Sequence, residues 1–527
     1  MTGLIHHRFL VSIFEVCFHS TAKLHIFIGI LTRQPKKKDT LLICLEKNHY
    51  FCTKTTNLMK RILIFAASLL LTAMASHLNA QSKELKPRLV VLTDIAPGNI
   101  EPDDMESMVR LMTYADQVEI EALITTIGWN CDPYPTEWAD SLFRVIDAYQ
   151  HDVKNLMKRS GQKGFQPLKA EEGMQEVGYW PSAEYLRSRV AMGSRRAGIG
   201  VIGSNNASAG SNLIIRLADE DDPRPLWVAS WGGANTLAQA IWQVKQQRSE
   251  EQVKAFLQKL RIYTITDQDM QYNMRMHRAY SSHQWMRHEF ARDLLFIWDE
   301  SAWLSQNSLG KAHWEEYAAK VQGHGMLGKA YPTFKWGVEG DTPSFLHILP
   351  TGLHDPDDPT QIGWAGCFCR DMCPDSLTIA WTNWREPQKG ISSQYENRFY
   401  ADTFNDFAAR MEWAANGKGN HNPVVIVNGK GGTSPLHLPT RPGASVTLDA
   451  STTFDPDGDA IEFQWWMQHN TGHGSKQVRL TAQGPSATLS IPSELKEAVI
   501  HLICEVHDKS SIPLVAYRRI IVHVQED

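Results

Sequence analysis

The feature that most constrains this chain is an apolar run that ends abruptly in a carboxylate, with two more carboxylates a short loop later. Residues 89–93 are Leu-Val-Val-Leu-Thr, and Asp94 follows directly. A loop containing two prolines and a glycine comes next, after which Asp103 and Asp104 open an amphipathic stretch over 105–114. This order predicts a buried strand, a loop and the first turn of a helix. Because ligands bind at the carboxyl ends of strands in open α/β sheets, the three carboxylates are expected at a ligand site.

Two interpretations of these carboxylates stay open from the residues alone. Crowded carboxylates repel one another unless they share a proton or a cation, and hard oxygen ligands suit Ca²⁺ or Mg²⁺. Alternatively, Asp103 with Glu106 forms a helix capping box, and Asp104 is favoured by the helix dipole. The second interpretation leaves Asp94 at the strand end unexplained.

Apolar strands alternate with amphipathic helices from residue 88 to about 323. The predicted strands cover 88–92, 118–127, 226–230, 261–265 and 294–298. The predicted helices include 136–149, 210–219, 236–247 and 251–260. Such alternation is typical of an α/β domain with a doubly wound, mostly parallel sheet. Most of the predicted strands run out into polar residues, which favours a site at the carboxyl edge of the sheet.

The pattern changes in the second half of the chain. Residues 326–397 are rich in Gly, Pro and Trp and are interpreted as long loops over the site, followed by a closing helix over 401–415 and a linker over 416–422. Residues 423–527 predict an immunoglobulin-like all-β sandwich. Its predicted strands are 424–427, 445–448, 461–466, 487–491, 500–507 and 520–524.

One acidic segment of the predicted sandwich has two possible interpretations. Asp455, Asp457 and Asp459 alternate within a Pro- and Gly-containing stretch and are able to bind Ca²⁺. As an EF-hand the segment fails because position 12 is Trp466 rather than Glu. A turn is therefore the expected structure.

The N-terminal region predicts export. Residues 59–80 form a charged, apolar and small-residue series that is typical of a secretory signal peptide, with cleavage expected after Ala80. We therefore expect translation to begin at Met59, with 1–58 a mis-assigned upstream extension; the alternative is a real extension with a membrane-prone patch at 9–31. The mature protein is expected in the periplasm or outside the cell, without a membrane span.

Charge and cysteine content narrow the class of protein further. Residues 1–80 hold ten Lys/Arg and three Asp/Glu, so the remaining chain carries a net charge of about −12. An acidic secreted protein is a poor candidate for binding nucleic acid. The cysteines Cys367, Cys369 and Cys373 match no common zinc spacing, and one disulfide or none is expected among them.

The stretch around Asp94 resembles the signature of the nucleoside hydrolase superfamily, an aspartate after the first strand and an Asp-Asp pair opening the first helix. It is more similar to a bacterial secreted family described as nucleoside hydrolase-like and cellulose-binding, marked by Thr-Asp-Ile and then Glu-Pro-Asp-Asp. Three later patches resemble the same family, at 123–130, 232–238 and 339–346. The resemblance spans about 88–413 and implies a nucleoside hydrolase-type fold for a domain at 81–415.

The resemblance also implies a site and a reaction. A Ca²⁺-like ion would be bound by Asp94, Asp104, Asp341 and the backbone carbonyl of Asn235. Asp94 would be the catalytic base toward a water molecule that attacks an anomeric carbon through an oxocarbenium-like transition state. The substrate, a small glycoside or a polysaccharide, would be contacted by Asp103, Asn130 and Asp267.

Several departures from the nucleoside hydrolases leave a second hypothesis open. Leu92 stands where those enzymes carry a further aspartate, and Gly340 stands where some carry the histidine that protonates the leaving group. The Glu-Phe-Asn segment with which nucleoside hydrolases bind ribose has no match in this sequence. Glu339 and His347 are the nearest residues in sequence that could protonate the leaving group instead. The chain is thus either a metal-dependent glycosidase or a non-catalytic carbohydrate-binding protein on the same fold.

One serine and three tryptophans each have a functional and a structural interpretation. Ser230 after a predicted strand resembles the nucleophile elbow of serine esterases, but Val228 replaces the first glycine of that motif. Trp129, Trp180 and Trp231 are able to stack on a sugar, although core packing is the usual role of such residues. The sequence does not predict the oligomeric state.

Overall fold

The computed structural model describes residues 84–167, 173–269, 281–300 and 302–526, with only the backbone described at 302–306. The predicted upstream extension and signal peptide, 1–58 and 59–80, lie outside the described residues. None of the helices in the described ranges combines the length and the apolar character needed to cross a membrane.

An eight-stranded sheet forms the centre of the N-terminal part, in the order β3-β2-β1-β4-β5-β6-β8-β7. Its strands are β1 Arg88–Thr93, β2 Glu119–Thr125, β3 Val190–Met192, β4 Leu226–Ser230, β5 Leu260–Ile265, β6 Leu295–Asp299, β7 Cys369–Met372 and β8 Ile379–Thr382. All neighbours are parallel except β7, which is antiparallel to β8. The strand order reverses between β1 and β4, so Asp94 follows the strand beside the switch point, where α/β sheets bind ligands.

Within the described ranges, twelve α-helices accompany the strands of this part. They are α1 Pro102–Thr113, α2 Asp140–Ser160, α3 Ala183–Ser188, α4 Ala209–Asp219, α5 Asn235–Gln247, α6 Glu250–Lys259, α7 Ser282–Phe290, α8 Ala302–Ala312, α9 Trp314–Lys320, α10 Gly325–Ala330, α11 Pro343–Leu346 and α12 Gln388–Asn416. Capping boxes at Ser208 and Ser249 explain where α4 and α6 begin. α2 ends at Gly161, whose left-handed φ of 76° suits glycine.

Helices cover both faces of the sheet, which confirms the predicted doubly wound architecture. Alternate residues of β1 enter two separate cores: Leu89 and Val91 pack with α1, α2 and α12, whereas Val90 and Leu92 pack with α4, α5 and α6. Burial on both sides explains why the strand is a continuous apolar run rather than an alternating one.

The segment predicted as long loops, 326–397, is partly regular. β7 and β8 extend the sheet beyond β6, and α12 begins at Gln388 rather than at 401. Four-residue strands are too short for a periodic signal. The start of α12 contains Gly390 and two serines, which have low helix propensity. Its helical form therefore depends on tertiary contacts, such as burial of Phe399 in the core.

Other predicted bounds shift by a few residues for local reasons. The helix predicted at 136–149 begins with a 3₁₀ turn at Thr136–Ala139 and continues as α2 to Ser160. The strand predicted at 118–127 is confined to Glu119–Thr125. The chain then forms an isolated bridge between Gly128 and Cys131.

The C-terminal part consists of two antiparallel-rich sheets, which confirms the predicted all-β architecture. One sheet has the order β10-β13-β12 and the other β11-β14-β15-β9. The strands are β9 Leu436–Thr440, β10 Ser445–Asp449, β11 Ile461–His473, β12 Arg479–Gln483, β13 Ser486–Ser490, β14 Ala498–Asp508 and β15 Val515–Val524. The prediction of a strand at 424–427 was wrong, since this segment makes only isolated bridges, from Val424 to Phe454 and from Val427 to Lys430.

The acidic segment of this part is a turn. Asp455 Oδ1 accepts hydrogen bonds from the backbone amides of Asp457 and Asp459, at 2.8 and 3.1 Å, and Gly458 has a φ of 85°. This arrangement is an Asx-turn, the expected alternative to a calcium loop.

The two parts share a core and polar contacts. Ile503, Val515 and Tyr517 of the β-sandwich belong to the same hydrophobic cluster as α12, and Arg398 of α12 pairs with Glu505 at 2.7 Å. The predicted linker, 416–422, is also bonded to the sandwich, since Asn420 donates to Asp508 at 2.7 Å. The predicted boundaries at 81–415, 416–422 and 423–527 remain predictions.

Candidate functional site

A cavity of about 470 Å³ opens at the carboxyl ends of the central strands. Residues that follow β1, β2 and β5 line it, together with α1 and the segment before α11. Five of the residues predicted from sequence are among the lining residues: Asp94, Asp103, Asp104, Asn130 and Asp341. The structure thus brings together side chains that are distant in the chain.

The start of α1 places two of these carboxylates. The helix begins at Pro102, whose fixed φ suits the first helical position, and Asp103 and Asp104 follow in the first turn. The capping-box interpretation is contradicted, because the helix has no side-chain cap and Glu106 instead accepts a hydrogen bond from the Glu339 amide at 2.7 Å. Thr93 at the end of β1 donates its hydroxyl to Asp104 and so ties helix to strand.

Two glycines make room for the Asp94 carboxylate. A methyl group on Gly128, after β2, would lie 1.6 Å from Asp94 Oδ2, and one on Gly232, after β4, would lie 2.6 Å from Oδ1. A side chain at either position would displace the carboxylate. The two loops flanking β1 are therefore shaped around Asp94.

The carboxylates are buried and unfavourably close to one another. Burial, and then the charge of Asp103, raises the pKa of Asp94 to about 8. Burial also raises the pKa of Asp104 and of Asp341 well above the ordinary range, with neighbouring aspartates adding to both shifts. No cationic side chain of the described ranges is among the main causes that act on these three groups.

The donor set fits a hard divalent cation. Oxygen atoms of Glu101, Asp103 and Asp341 are buried without a hydrogen-bond partner in the described part of the chain. Glu101, Asp103 and Asp104 each offer an oxygen within 4.8 Å of the others. Buried charges in proteins are normally paired or bound to metal, and oxygen-only sites suit Ca²⁺ or Mg²⁺.

Two predicted residues do not line the cavity. Asn235 is the first residue of α5 and is fully buried. Its Nδ2 lies 3.3 Å from the Gly198 carbonyl, and its Oδ1 has no hydrogen-bond partner within the ranges that the structure describes. Asp267 is also fully buried, and its carboxylate accepts a hydrogen bond from Ser281 at 2.8 Å. Their predicted roles toward metal and sugar stay predictions.

Neither candidate acid from the sequence borders the cavity. Glu339 forms a buried ion pair with Arg110 at 2.5 Å. His347 is buried beneath the sheet, where its Nε2 is 3.1 Å from the Pro356 carbonyl and burial lowers its pKa to about 4. Neither Glu339 nor His347 is therefore placed to protonate a leaving group in the cavity.

Sequence reasoning missed several lining residues. Glu101 lies within the acidic motif, yet only its position at the N-cap of α1 reveals its carboxylate in the cavity. Asn307, Gln268 and Trp336 carry no local motif and come from separate segments. Their proximity is a property of the tertiary structure alone.

Of the other aromatic and nucleophilic candidates, only Trp129 is among the residues that line the cavity. Of the three tryptophans considered, Trp129 lines the cavity, whereas Trp180 and Trp231 are fully buried in the core. Ser230 is buried, and its hydroxyl donates to the Gly232 carbonyl at 2.9 Å. Within the described residues Ser230 has no histidine partner, so an esterase triad has no support here.

The remaining clusters with metal-binding groups are satisfied internally. Asp402, Glu505 and His507 lie close together where α12 meets the sandwich. Glu505 already accepts hydrogen bonds from His507 at 2.9 Å and Trp466 at 2.7 Å. The five cysteines of the described residues, Cys131 and Cys504 among them, are free thiols.

Comparison with known proteins agrees with this architecture. Residues 88–368 match the family described as cellulose-binding Sde182, nucleoside hydrolase-like domain, and residues 445–524 match the cellulose-binding protein Sde0182, C-terminal domain. No curated protein matches the sequence.

Two solved structures match the chain to very different extents. A nucleoside hydrolase-related hypothetical protein from Saccharophagus degradans, associated with carbohydrate metabolism, is 33% identical and covers 84% of this chain and 100% of its own, with a TM-score of 0.70. The PKD domain from KIAA 1837 protein is 21% identical over 18% of this chain and 83% of its own, but its TM-score of 0.14 carries no argument. The chain therefore belongs to the Sde182 family of cellulose-binding proteins with a nucleoside hydrolase-like domain.

Proposed function

We propose that this protein is a secreted, metal-dependent glycoside hydrolase that cleaves an N- or O-glycosidic bond of a small sugar or nucleoside-like substrate. The observation that carries the proposal is the group of buried carboxylates, Asp94, Asp104 and Asp341, in one cavity without a compensating cation in the described ranges. A bound divalent cation would offset the mutual repulsion and the desolvation cost of these carboxylates.

The proposed metal is Ca²⁺, bound by Asp94, Asp104 and Asp341, with Glu101 as a further oxygen donor beside them. The family resemblance adds Asn235 as a ligand through its carbonyl. A bound divalent cation supplies Lewis-acid activation of water. These residues would hold the cation at the floor of the cavity.

The chain's own groups account for the proton transfer and for binding. Asp94, which a bound cation would keep ionised, is the proposed base and accepts the proton of the attacking water. Asp103 accepts a hydrogen bond from a sugar hydroxyl. Asn130, which lines the cavity, and Asp267, which the family resemblance adds, are the proposed further sugar contacts.

A second candidate function is carbohydrate binding without turnover. It is favoured by the absence of Glu339 and His347 from the cavity lining, since neither is placed to protonate a leaving group there. Trp129 and Trp336 border the cavity, and Trp336 is 59% exposed, as suits an aromatic ring that stacks on a sugar. The family description points to a polysaccharide ligand.

One experiment separates the two candidates. Purified protein is incubated with ribonucleosides and small glycosides, with Ca²⁺ or with EDTA, and released reducing sugar is measured. Asp94→Asn is the test variant, and Asp221→Asn, at an exposed position, is the matched control. Release that needs both Ca²⁺ and Asp94 supports the hydrolase. Calcium-dependent sugar binding without release supports the binding protein, and neither release nor binding contradicts both.

A further inference from the structure

One cavity-lining side chain outside the proposed metal set has an unmet hydrogen-bonding capacity. Asn307 of α8 is only 8% exposed, and its Oδ1 is buried without a partner in the described part of the chain. A buried amide in this state is unfavourable unless a ligand pairs with it. Asn307 is therefore a candidate contact for whatever occupies the cavity.

Gly337 leaves the space that this side chain occupies. A methyl group on Gly337 would lie 2.2 Å from Asn307 Cβ and 2.6 Å from its Nδ2. Any larger residue at 337 would push the amide out of its position. The segment before α11 is thus shaped around Asn307 in the same way as the loops beside β1 are shaped around Asp94.

Asn307 and Asp103 face one small space above Gly340. A methyl group on Gly340 would lie 2.9 Å from Asp103 Oδ2, and 3.3 and 3.5 Å from Asn307 Oδ1 and Nδ2. Asp103 also has a buried oxygen, Oδ1, without a partner. A carboxylate and an amide from separate helices are therefore close enough to contact the same ligand group.

We propose that Asp103 and Asn307 form a clamp over Gly340 that binds one unsubstituted hydroxyl of the sugar, and that this clamp selects against deoxy and O-substituted sugars. A hydroxyl both donates and accepts, so it can donate to the Asp103 carboxylate and pair with the Asn307 amide. A deoxy sugar leaves both groups unpaired, and an O-substituted position has no proton to donate to the Asp103 carboxylate.

This proposal rests on the proposed sugar-binding function of the same cavity, and the test keeps the two apart. Calorimetry first measures Ca²⁺ binding to the purified protein alone. It then measures binding of cellotetraose, D-ribose and 2-deoxy-D-ribose to the Ca²⁺-loaded protein. The variants are Asn307→Ala and Gly340→Ala, and the matched control is Gly164→Ala, where an added methyl group meets open space.

We expect both test variants to lose about tenfold or more in affinity for the sugar that the wild-type protein binds. This is the loss expected when one hydrogen bond is removed from a site that contains a charged group. The Ca²⁺ affinity and unfolding temperature of Asn307→Ala should stay at the wild-type level, which a merely structural role of Asn307 would not predict. Gly340→Ala is judged on sugar affinity alone, because its methyl group also presses on Asp103 of the acidic cluster. Gly164→Ala should bind both ligands like the wild-type protein.

Three results would overturn the clamp. Wild-type sugar affinity in Asn307→Ala would remove Asn307 from the site while leaving the proposed function intact. Loss of Ca²⁺ affinity in Asn307→Ala would make this residue a metal ligand instead. Absence of sugar binding by the wild-type protein would contradict the proposed function, and the clamp with it.

Discussion

Arg110 and Glu339 form a fully buried ion pair, 2.5 Å between Nη1 and Oε2, that joins α1 to the segment carrying Asp341. Glu339 also accepts a hydrogen bond from the Tyr331 hydroxyl at 2.9 Å, and its amide donates to Glu106. Asp104 lies upstream of Arg110 on the same helix, and Asp341 lies two residues after Glu339. The pair therefore helps to hold two proposed metal ligands at one end of the sheet.

Replacement of Glu339 by Gln should be strongly destabilising. The change leaves the Arg110 guanidinium buried without its counter-charge, and breaking such a pair costs about 3–5 kcal/mol. Urea unfolding gives the free energy. Glu462→Gln, in a pair with Lys509 that is largely exposed, is the control and should change the free energy of unfolding far less. Equal effects at both sites would mean that burial of the Arg110 pair has no energetic weight.

Replacement of Gly128 by Ala should disturb Asp94 specifically. The added methyl group would lie 1.6 Å from Asp94 Oδ2, so the carboxylate must move from its place at the cavity floor. Ca²⁺ affinity measured by calorimetry should fall by at least about tenfold, or 1.4 kcal/mol. Gly164→Ala serves again as the control. Unchanged Ca²⁺ affinity in Gly128→Ala would exclude Asp94 in its present position as a ligand.

Stability should depend on pH through the buried histidine beneath the sheet. Burial lowers the pKa of His347 to about 4 in the folded protein, below the value of about 6.5 for a free histidine. The stabilisation is complete above pH 6.5. It is lost as pH falls toward 4, because only the unfolded chain then binds the proton, for a total of roughly 3 kcal/mol.

His347→Gln tests this dependence. Unfolding free energies measured between pH 4 and 7 should fall less steeply with acid in the variant, by about one proton. His354 packs against His347, and burial lowers its pKa too, so part of the wild-type slope should remain. His288→Gln, at a side chain 72% exposed, is the control. A wild-type slope in His347→Gln would show that the folded protein protonates this residue freely.

The sandwich and the α/β part should unfold together. Tyr517 of β15 is buried in the core of the α/β part, where it contacts Trp364 and donates to Asp402 at 2.8 Å. Tyr517→Ala should therefore lower the unfolding free energy by about 3–5 kcal/mol. Calorimetry should show one transition that moves as a whole. Two separate transitions, of which the substitution shifts only one, would instead indicate independent domains. Thr447→Ala, at an exposed position of a strand, is the control.

Local patterns in the sequence were sufficient for the parts of the site that belong to one strand–loop–helix unit. The apolar run of β1, Asp94 at its end and the acidic start of α1 all follow from neighbouring residues, and so does the alternation that predicts a doubly wound sheet. By contrast, β7 and β8 are too short for a periodic signal. The N-terminal turns of α12 have low intrinsic helix propensity, so packing decides their conformation.

The sequence by itself determined the alternation of the longer strands and helices, the acidic character of the site and the place of Asp94 after the first strand, because side-chain periodicity and turn residues act over a few neighbouring positions. Only the tertiary structure decided which distant groups share the cavity. Asp341, Asn307 and Gly340 approach Asp103 because α8 and the segment before α11 pack beside α1, and that packing depends on long-range contacts such as the Arg110–Glu339 pair. Burial within this packed arrangement, rather than residue type, raises the carboxylate pKa values and leaves Asn307 Oδ1 without a partner among the described residues.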